Sequence, residues 1–495
     1  MRKQETTPVP STKAWRGGRS RRPSPLQPLL EGLGVALLAC SAAPALAQTV
    51  AITGGTVALG DGSAPIEGGT VVIRGGRVVA AGQGVAVPAD AQRVDATGKW
   101  VTPGLVAGFS RVGLLEVDAV DATNDVRAGN APFSAAIDVA PAVNPRAAAV
   151  AVNRAGGVTR AVIAPATAKS IFAGQGAVID LGADMEPITR ARAFQFVEFG
   201  EAGADSAGGS RAATFVLFRN ALREARDLGR SDRIVSSGAA PREPRASDQR
   251  DFPLEEVPDP ANPLLGADAR RSEDVLLTRF DAAALVPVLT GRQLLLVHVE
   301  RASDILQVLG LRREFPNLRM VLVGATEGWT VADRIAAAGV PVIANALVDL
   351  PSSFEQLAAT QSNIGRMRAA GVTVAMGMIN DDEARQVRLS RQYAGNLVAL
   401  TKVPGASGLS WGEALATITS RPAEALGLGG EIGSLRPGRR ADVVIWSGDP
   451  LENGSAAEMV MIDGVQQPLE NRQTKLRDRY RDLNQPSLPP AYDPR

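Results

Sequence analysis

Pro103-Gly104-Leu105-Val106-Ala107-Gly108-Phe109-Ser110-Arg111-Val112-Gly113 is the stretch on which the fold assignment turns. It begins on a Pro-Gly step, runs largely apolar, and holds neither an imidazole nor a carboxylate. The phenyl ring at 109 has no donor atom and the guanidinium at 111 is a permanent cation, so neither can take the place of a neutral imidazole on zinc. The whole chain has one histidine, His298.

Toward the N-terminus, Val50 to Thr53, Thr56 to Ala58, Thr70 to Arg74 and Arg77 to Ala81 are short β-branched runs parted by Gly-Gly and Asp-Gly turns, the pattern of a hairpin array. At the far end, Ala441 to Trp446 and Met459 to Asp463 read as further strands. Strands at both ends of one chain are expected to pair across the termini, so residues 48–100 and 431–468 would form a small composite β-sandwich. Between them Val158 to Ile163, Leu294 to Val299, Arg319 to Val323, Val340 to Ile343 and Val372 to Met376 read as buried strands. Helical patterns alternate with them over Ala212 to Arg226, Ala302 to Glu314, Val331 to Ala338 and Phe354 to Ala369. Such alternation argues for parallel βα units. The expected fold class is therefore α/β, a distorted TIM (β/α)8 barrel over 101–430 beside the sandwich. A stretch rich in Pro, Ala, Ser and charge, 236–271, reads as a flexible insertion, and 469–495 as a C-terminal extension.

The charge balance, 53 basic against 52 acidic side chains, gives no basic excess for nucleic acid and no acidic tail. Arg2, Lys3, Lys13, Arg16, Arg19, Arg21 and Arg22 precede an apolar run from Leu33 to Ala39, and Ala45-Leu46-Ala47 supplies a small-x-small cleavage pattern. Residues 1–47 are thus expected to be a signal peptide, with the mature protein periplasmic or secreted. The apolar run is too short to span a bilayer, which takes ~20 residues. The lone cysteine, Cys40, falls within this segment; the alternative reading makes it the lipidated anchor of a lipoprotein.

The 103–113 run resembles the first barrel strand of the amidohydrolase superfamily, Pro-Gly followed by two apolar residues and Asp-x-His-x-His. Here the Asp position is Ala107 and the two His positions are Phe109 and Arg111. Thr417 to Leu428 resembles the family's helix after the last barrel strand, and Gly433 to Gly438 followed by Ala441 to Trp446 its return into the sandwich. Ala173 to Val178 and His298 to Ile305 resemble a secreted, imidazolonepropionase-like branch. The resemblance implies one or two metals held by the first-strand His pair, a mid-barrel Lys, one His each on the fifth and sixth strands, and an Asp ending the eighth. Of these His298 survives, at the fifth-strand place. The sixth-strand place falls near Gly324-Ala325-Thr326-Glu327 and the eighth near Asn380-Asp381-Asp382, so the metal site reads as degenerate and no cofactor is expected.

The candidate cleft is Phe109, Arg111, His298, Glu327, Asn380, Asp381 and Asp382. The candidate catalytic groups are His298, Glu327 and Asp381, against the bland readings of a hydrogen-bonded relic and solvated loop carboxylates. Asp304 reads as helix-terminal and Gly174-Gln175-Gly176 as a backbone turn. No Gly-x-Ser-x-Gly elbow, phosphate loop or zinc spacing of Cys and His occurs. Two functions follow: an exported, metal-independent pseudoenzyme that binds a partner or a small molecule carrying a carboxylate or carbonyl, or an active hydrolase of carbon-nitrogen or related bonds.

Overall fold

The computed structural model describes residues 49–117, 119–236, 276–380 and 384–481, with only the backbone considered for 231–236. The expected signal peptide with Cys40, most of the 236–271 insertion, Asp381, Asp382 and the end of the C-terminal extension lie outside the described residues. No helix among the described residues is long and apolar enough to cross a membrane.

In chain order the elements begin with β1 (Thr49–Val57), β2 (Ile66–Arg74), β3 (Arg77–Gly82), β4 (Gln92–Asp95), β5 (Trp100–Pro103) and β6 (Leu105–Ser110). Then come α1 (Ala148–Ala155), β7 (Val158–Ile163), β8 (Phe172–Asp180), β9 (Ile188–Glu198), α2 (Gly200–Ser206), α3 (Arg211–Ser236) and α4 (Arg279–Leu289). These lead to β10 (Leu294–Val299), α5 (Ala302–Gly310), β11 (Met320–Gly324), α6 (Ala332–Ala338), β12 (Val342–Ala344), α7 (Asn363–Ala369) and β13 (Val374–Met376). The chain continues through α8 (Ser390–Ala399), α9 (Trp411–Thr417), α10 (Ser420–Ala425), β14 (Val443–Trp446), β15 (Ala457–Ile462), β16 (Val465–Gln466) and α11 (Arg472–Tyr480).

One sheet joins the two ends of the chain, because β5 pairs antiparallel with β14 and parallel with β1. Its strands alternate: Val443 and Ile445 lie in a core with Val50, Ile52, Val71 and Ile73, while Val444 and Trp446 face the barrel. The second sheet runs β6 to β13 in chain order. Met378 N–H donates to Phe109 O at 3.1 Å, bringing its first and last edges together. The α/β class, with a distorted barrel beside a composite β domain, is the architecture of the protein.

Three local readings need correction. First, strand and helix do not alternate after β7: β8 runs antiparallel to both β7 and β9. Gly174-Gln175-Gly176 therefore lies inside a strand and is no turn. A Cβ at Gly176 would sit 2.0 Å from the Phe194 ring, so these glycines give passage to an aromatic from the next strand. Second, Phe354 to Ser362 is not helical, because its carboxylate and backbone groups are drawn to other elements, as described below; the helix starts at Asn363. Third, the expected Thr417–Leu428 helix is two short helices broken at Thr419, whose hydroxyl is taken by Leu415 O at 2.8 Å and Gly60 O at 3.2 Å.

Candidate functional site at the C-terminal mouth of the barrel

The lumen of the barrel is filled by side chains at alternate strand positions. Phe194 and Phe196 of β9, Leu294 and Leu296 of β10, Val321 and Val323 of β11 and Ile343 of β12 share one core, while Val197, Leu295, Val297 and Val299 pack outside it. Continuing the alternation by one step puts Glu198 and His298 on the lumen side, one layer above Phe196 and Leu296. The two residues are direct neighbours in the parallel β9–β10 pairing. They therefore stand where strands end at the C-terminal face, the face that carries active sites in barrels of this kind.

Phe109 joins the lumen core. It is 1% exposed, with its ring centroid 5.3 Å from that of Phe196. Irregular pairing between Ala107 and Ser110 shifts the phase of β6 there, so Leu105 and Ala107 pack outside while Phe109 packs inside. Arg111, two residues on, is buried.

His298 sits between two carboxylates. Its Nδ1 lies 2.5 Å from Glu198 Oε2 and its Nε2 3.1 Å from Glu300 Oε1, and its side chain is 19% exposed. Burial opposes a charge on the imidazole, but the attraction and hydrogen bonds of Glu198 and Glu300 outweigh it and hold the group protonated well above its ordinary range. Burial likewise pushes Glu300 up, and the bonds from His298 and from Thr326 N–H, the latter 2.8 Å long, hold it below the usual carboxylate range. Gly324 is what lets Glu300 in: its φ is +87° and a Cβ there would lie 2.4 Å from Glu300 Oε1.

A strap covering 345–362 connects β12 to α7; Ser362 Oγ accepts from Ser407 N–H at its end, and two further points bind it. Glu355 Oε2 accepts from Glu201 N–H at 2.7 Å and from Arg211 Nη2 at 3.2 Å. Arg211 also donates to Asp304 Oδ2 at 3.0 Å, and Asp304 takes two further bonds from Arg301. Burial pushes the Glu355 carboxyl up, with the Glu201 amide opposing. At the second point Glu327 Oε1 accepts from Ala358 N–H at 3.1 Å, and Trp329 Nε1 donates to Ala358 O at 2.8 Å. The outer face of the strap leaves Leu350, Phe354 and Leu357 exposed.

Of the expected cleft residues, the structure brings Phe109 into the lumen and His298 to its rim. Glu327 is a fastening carboxylate: its Oε2 also accepts from Ala302 N–H at 2.9 Å, at the start of α5. Asn380 is exposed, and its carbonyl accepts from Ala384 N–H. Glu198, Glu300 and Glu355 were missed. For Glu198 and Glu300 a signal existed in the alternation of Phe194-Gln195-Phe196-Val197-Glu198 and Leu294 to Glu300.

These side chains do not fit the family's metal. Phe109 and Arg111 cannot ligate it, and both His298 nitrogens face carboxylates. Among the described residues no group of three or more His, Cys, Asp or Glu side chains is arranged to hold a metal ion.

Residues 307–467 match the model of the amidohydrolase family. An amidohydrolase of Hapsidospora irregularis, tasK, is 45% identical over 60 residues, 12% of this chain and 6% of that protein. The imidazolonepropionase of Acidiphilium cryptum is 36% identical over 124 residues, 24% of this chain and 29% of its own length. The matched stretches thus span less than a third of either relative. An amidohydrolase of Thermotoga maritima shares the fold with a TM-score of 0.69 at 24% identity, over 86% of this chain and 100% of that one. Local sequence and overall fold agree: residues 307–467 are similar to the amidohydrolase family, and the fold is the one seen in the Thermotoga maritima amidohydrolase.

Proposed function

We propose that this protein is an exported, metal-independent and catalytically impaired amidohydrolase-fold protein that binds a small molecule bearing a carbonyl or carboxylate at the C-terminal mouth of its barrel. The observation carrying the reading is the clamp on His298: both ring nitrogens are committed to carboxylates, leaving no lone pair for a metal. Phe109 supports it, since a phenyl ring packed on Phe196 occupies the lumen where the family places an imidazole. Arg111, which follows β6 and is buried, would offer a guanidinium to a ligand oxygen at that mouth. Export rests on the basic, apolar and Ala45-Leu46-Ala47 pattern of the first 47 residues.

Elemental analysis of the purified protein tests the reading, with no stoichiometric metal expected and ligand-induced thermal shifts unchanged by EDTA. Stoichiometric zinc, lost together with a hydrolytic activity in His298→Ala, would establish the hydrolase instead.

A further inference from the structure

The mouth of the barrel holds a hydrogen-bond donor that the clamp and the strap leave unused. Val342, Ala344 and Ala346 pack in the outer core while Ile343 lies in the lumen, so the alternation carries Asn345 to the lumen side, one layer above Ile343. Asn345 is 8% exposed. Its Oδ1 accepts from Leu347 N–H at 3.1 Å, which fixes the orientation of the amide, because a backbone N–H must face the oxygen rather than the NH2 group. Nδ2 is then buried without a partner. Buried polar groups are paired in the great majority of cases, and this one sits at the root of the strap, one step beyond Ile343, which is level with His298 through the β10–β11–β12 register. It marks a place for an acceptor that the chain does not supply.

The charge around it selects the kind of acceptor. In the clamp Glu198 and Glu300 share one cation, His298, so the carboxylates are in excess there and a neutral oxygen is favoured. A carboxylate would add a buried charge without a counter-ion. We propose that Asn345 is a ligand-contacting residue whose Nδ2 donates to the carbonyl oxygen of a neutral small molecule enclosed beneath the 345–362 strap. This rests on the ligand-binding reading above and narrows it from carbonyl or carboxylate to neutral carbonyl.

The test uses three ring compounds of similar size: 2-pyrrolidinone, which has a neutral carbonyl, pyrrolidine, which lacks it, and cyclopentanecarboxylate, which is anionic. Thermal shift and titration calorimetry are run on the full protein, on Asn345→Asp and on Asn345→Leu. Asn345→Asp keeps the acceptor for Leu347 N–H and loses only the donor; Asn345→Leu controls for the added charge. The expected result is a rise in Tm of the native protein with 2-pyrrolidinone and with neither analogue, together with at least tenfold weaker binding in both variants, whose ligand-free circular dichroism matches the native protein. A native-protein response strongest for cyclopentanecarboxylate, or no response to 2-pyrrolidinone, overturns the proposal. So does an equal response in all three proteins, which leaves metal-free binding at the mouth standing. Stoichiometric zinc with an Asn345-dependent response would sink the metal-free reading and keep the role of Asn345.

Discussion

Two cations, one at each end of the barrel, are held between carboxylates, and they differ in what they leave over. Arg160, near the start of β7, makes paired bonds to Asp442, 2.7 Å from Nε and 2.9 Å from Nη2. It also meets Asp463 at 2.9 Å and Thr189 at 2.8 Å. Burial opposes its charge, yet Asp442 and Asp463 outweigh that and raise its pKa further. A guanidinium never titrates in the working range, so this knot is a permanent fastener of barrel to terminal sheet. His298 at the other end is titratable and partly exposed, and the unpaired amide of Asn345 lies at the same end of the strands. In barrels of this kind the start of the strands serves stability and their end carries the chemistry, and the two cations divide along that line.

The largest expected effect breaks the first cation. Arg160→Ala leaves Asp442 buried without its counter-charge, and removing one partner of a buried pair costs roughly 3–5 kcal/mol. Urea unfolding should show a loss of that size, while any ligand response at the mouth persists in the folded fraction. A loss below about 1 kcal/mol would mean that Asp442, whose Oδ1 also accepts from Asp463 N–H at 3.0 Å, is adequately satisfied without Arg160.

The contrast between the two ends also separates what the sequence discloses from what it hides. Short β-branched runs ended by glycine made the terminal strands legible, and the order of the Pro103, Thr417 and Gly433 motifs made the superfamily legible. The reversed strand β8 was hidden because Phe172–Asp180 is rich in glycine and alanine, a composition that reads as a turn until Phe194 is seen to need the space. The strap was hidden because Phe354 to Ser362 has helical composition; what keeps it from forming a helix is Glu355 and Ala358 finding partners on α2, α3 and the segment after β11. The clamp was hidden because Glu198 and His298 are 100 residues apart and meet only through strand pairing.

A smaller effect tests whether the second cation is titratable in fact. His298 has a raised pKa in the folded state, so its contribution is fully present below its ordinary value of 6.5 and is lost as pH rises through the folded value. Glu300 has a depressed one, so its contribution is present above its ordinary value of 4.5 and is lost as pH falls through the folded value. Hydrogen bonds to charged groups contribute about 1.5–3 kcal/mol. The stability gap between the native protein and His298→Gln should be of that order near pH 6 and should shrink toward alkaline pH. A gap that stays flat from pH 6 to pH 10, while the Arg160→Ala gap is also flat, would put His298 in the same permanent class as Arg160.

The smallest effect concerns the cover over the mouth. Glu355 reaches from the strap to Glu201 N–H and Arg211, and its other neighbours in charge are His298, Glu300 and Glu201. Because burial pushes its carboxyl up, the ionised form costs stability as well as adding it, and neutralising the group should change the global unfolding free energy by less than about 1 kcal/mol. Glu355→Gln keeps one oxygen for the Glu201 amide and loses the charge that Arg211 grips. The expected change is therefore local: faster hydrogen exchange at the amides of Glu201 and Ala358, with the amides of β10 and β11 unaltered. If exchange rises equally in the strap and in those strands, the latch is part of the global fold and the strap is no separate cover. If neither changes, the Glu327 and Trp329 contacts to Ala358 suffice to hold the strap, and Glu355 belongs with the satisfied charges of the Arg160 end.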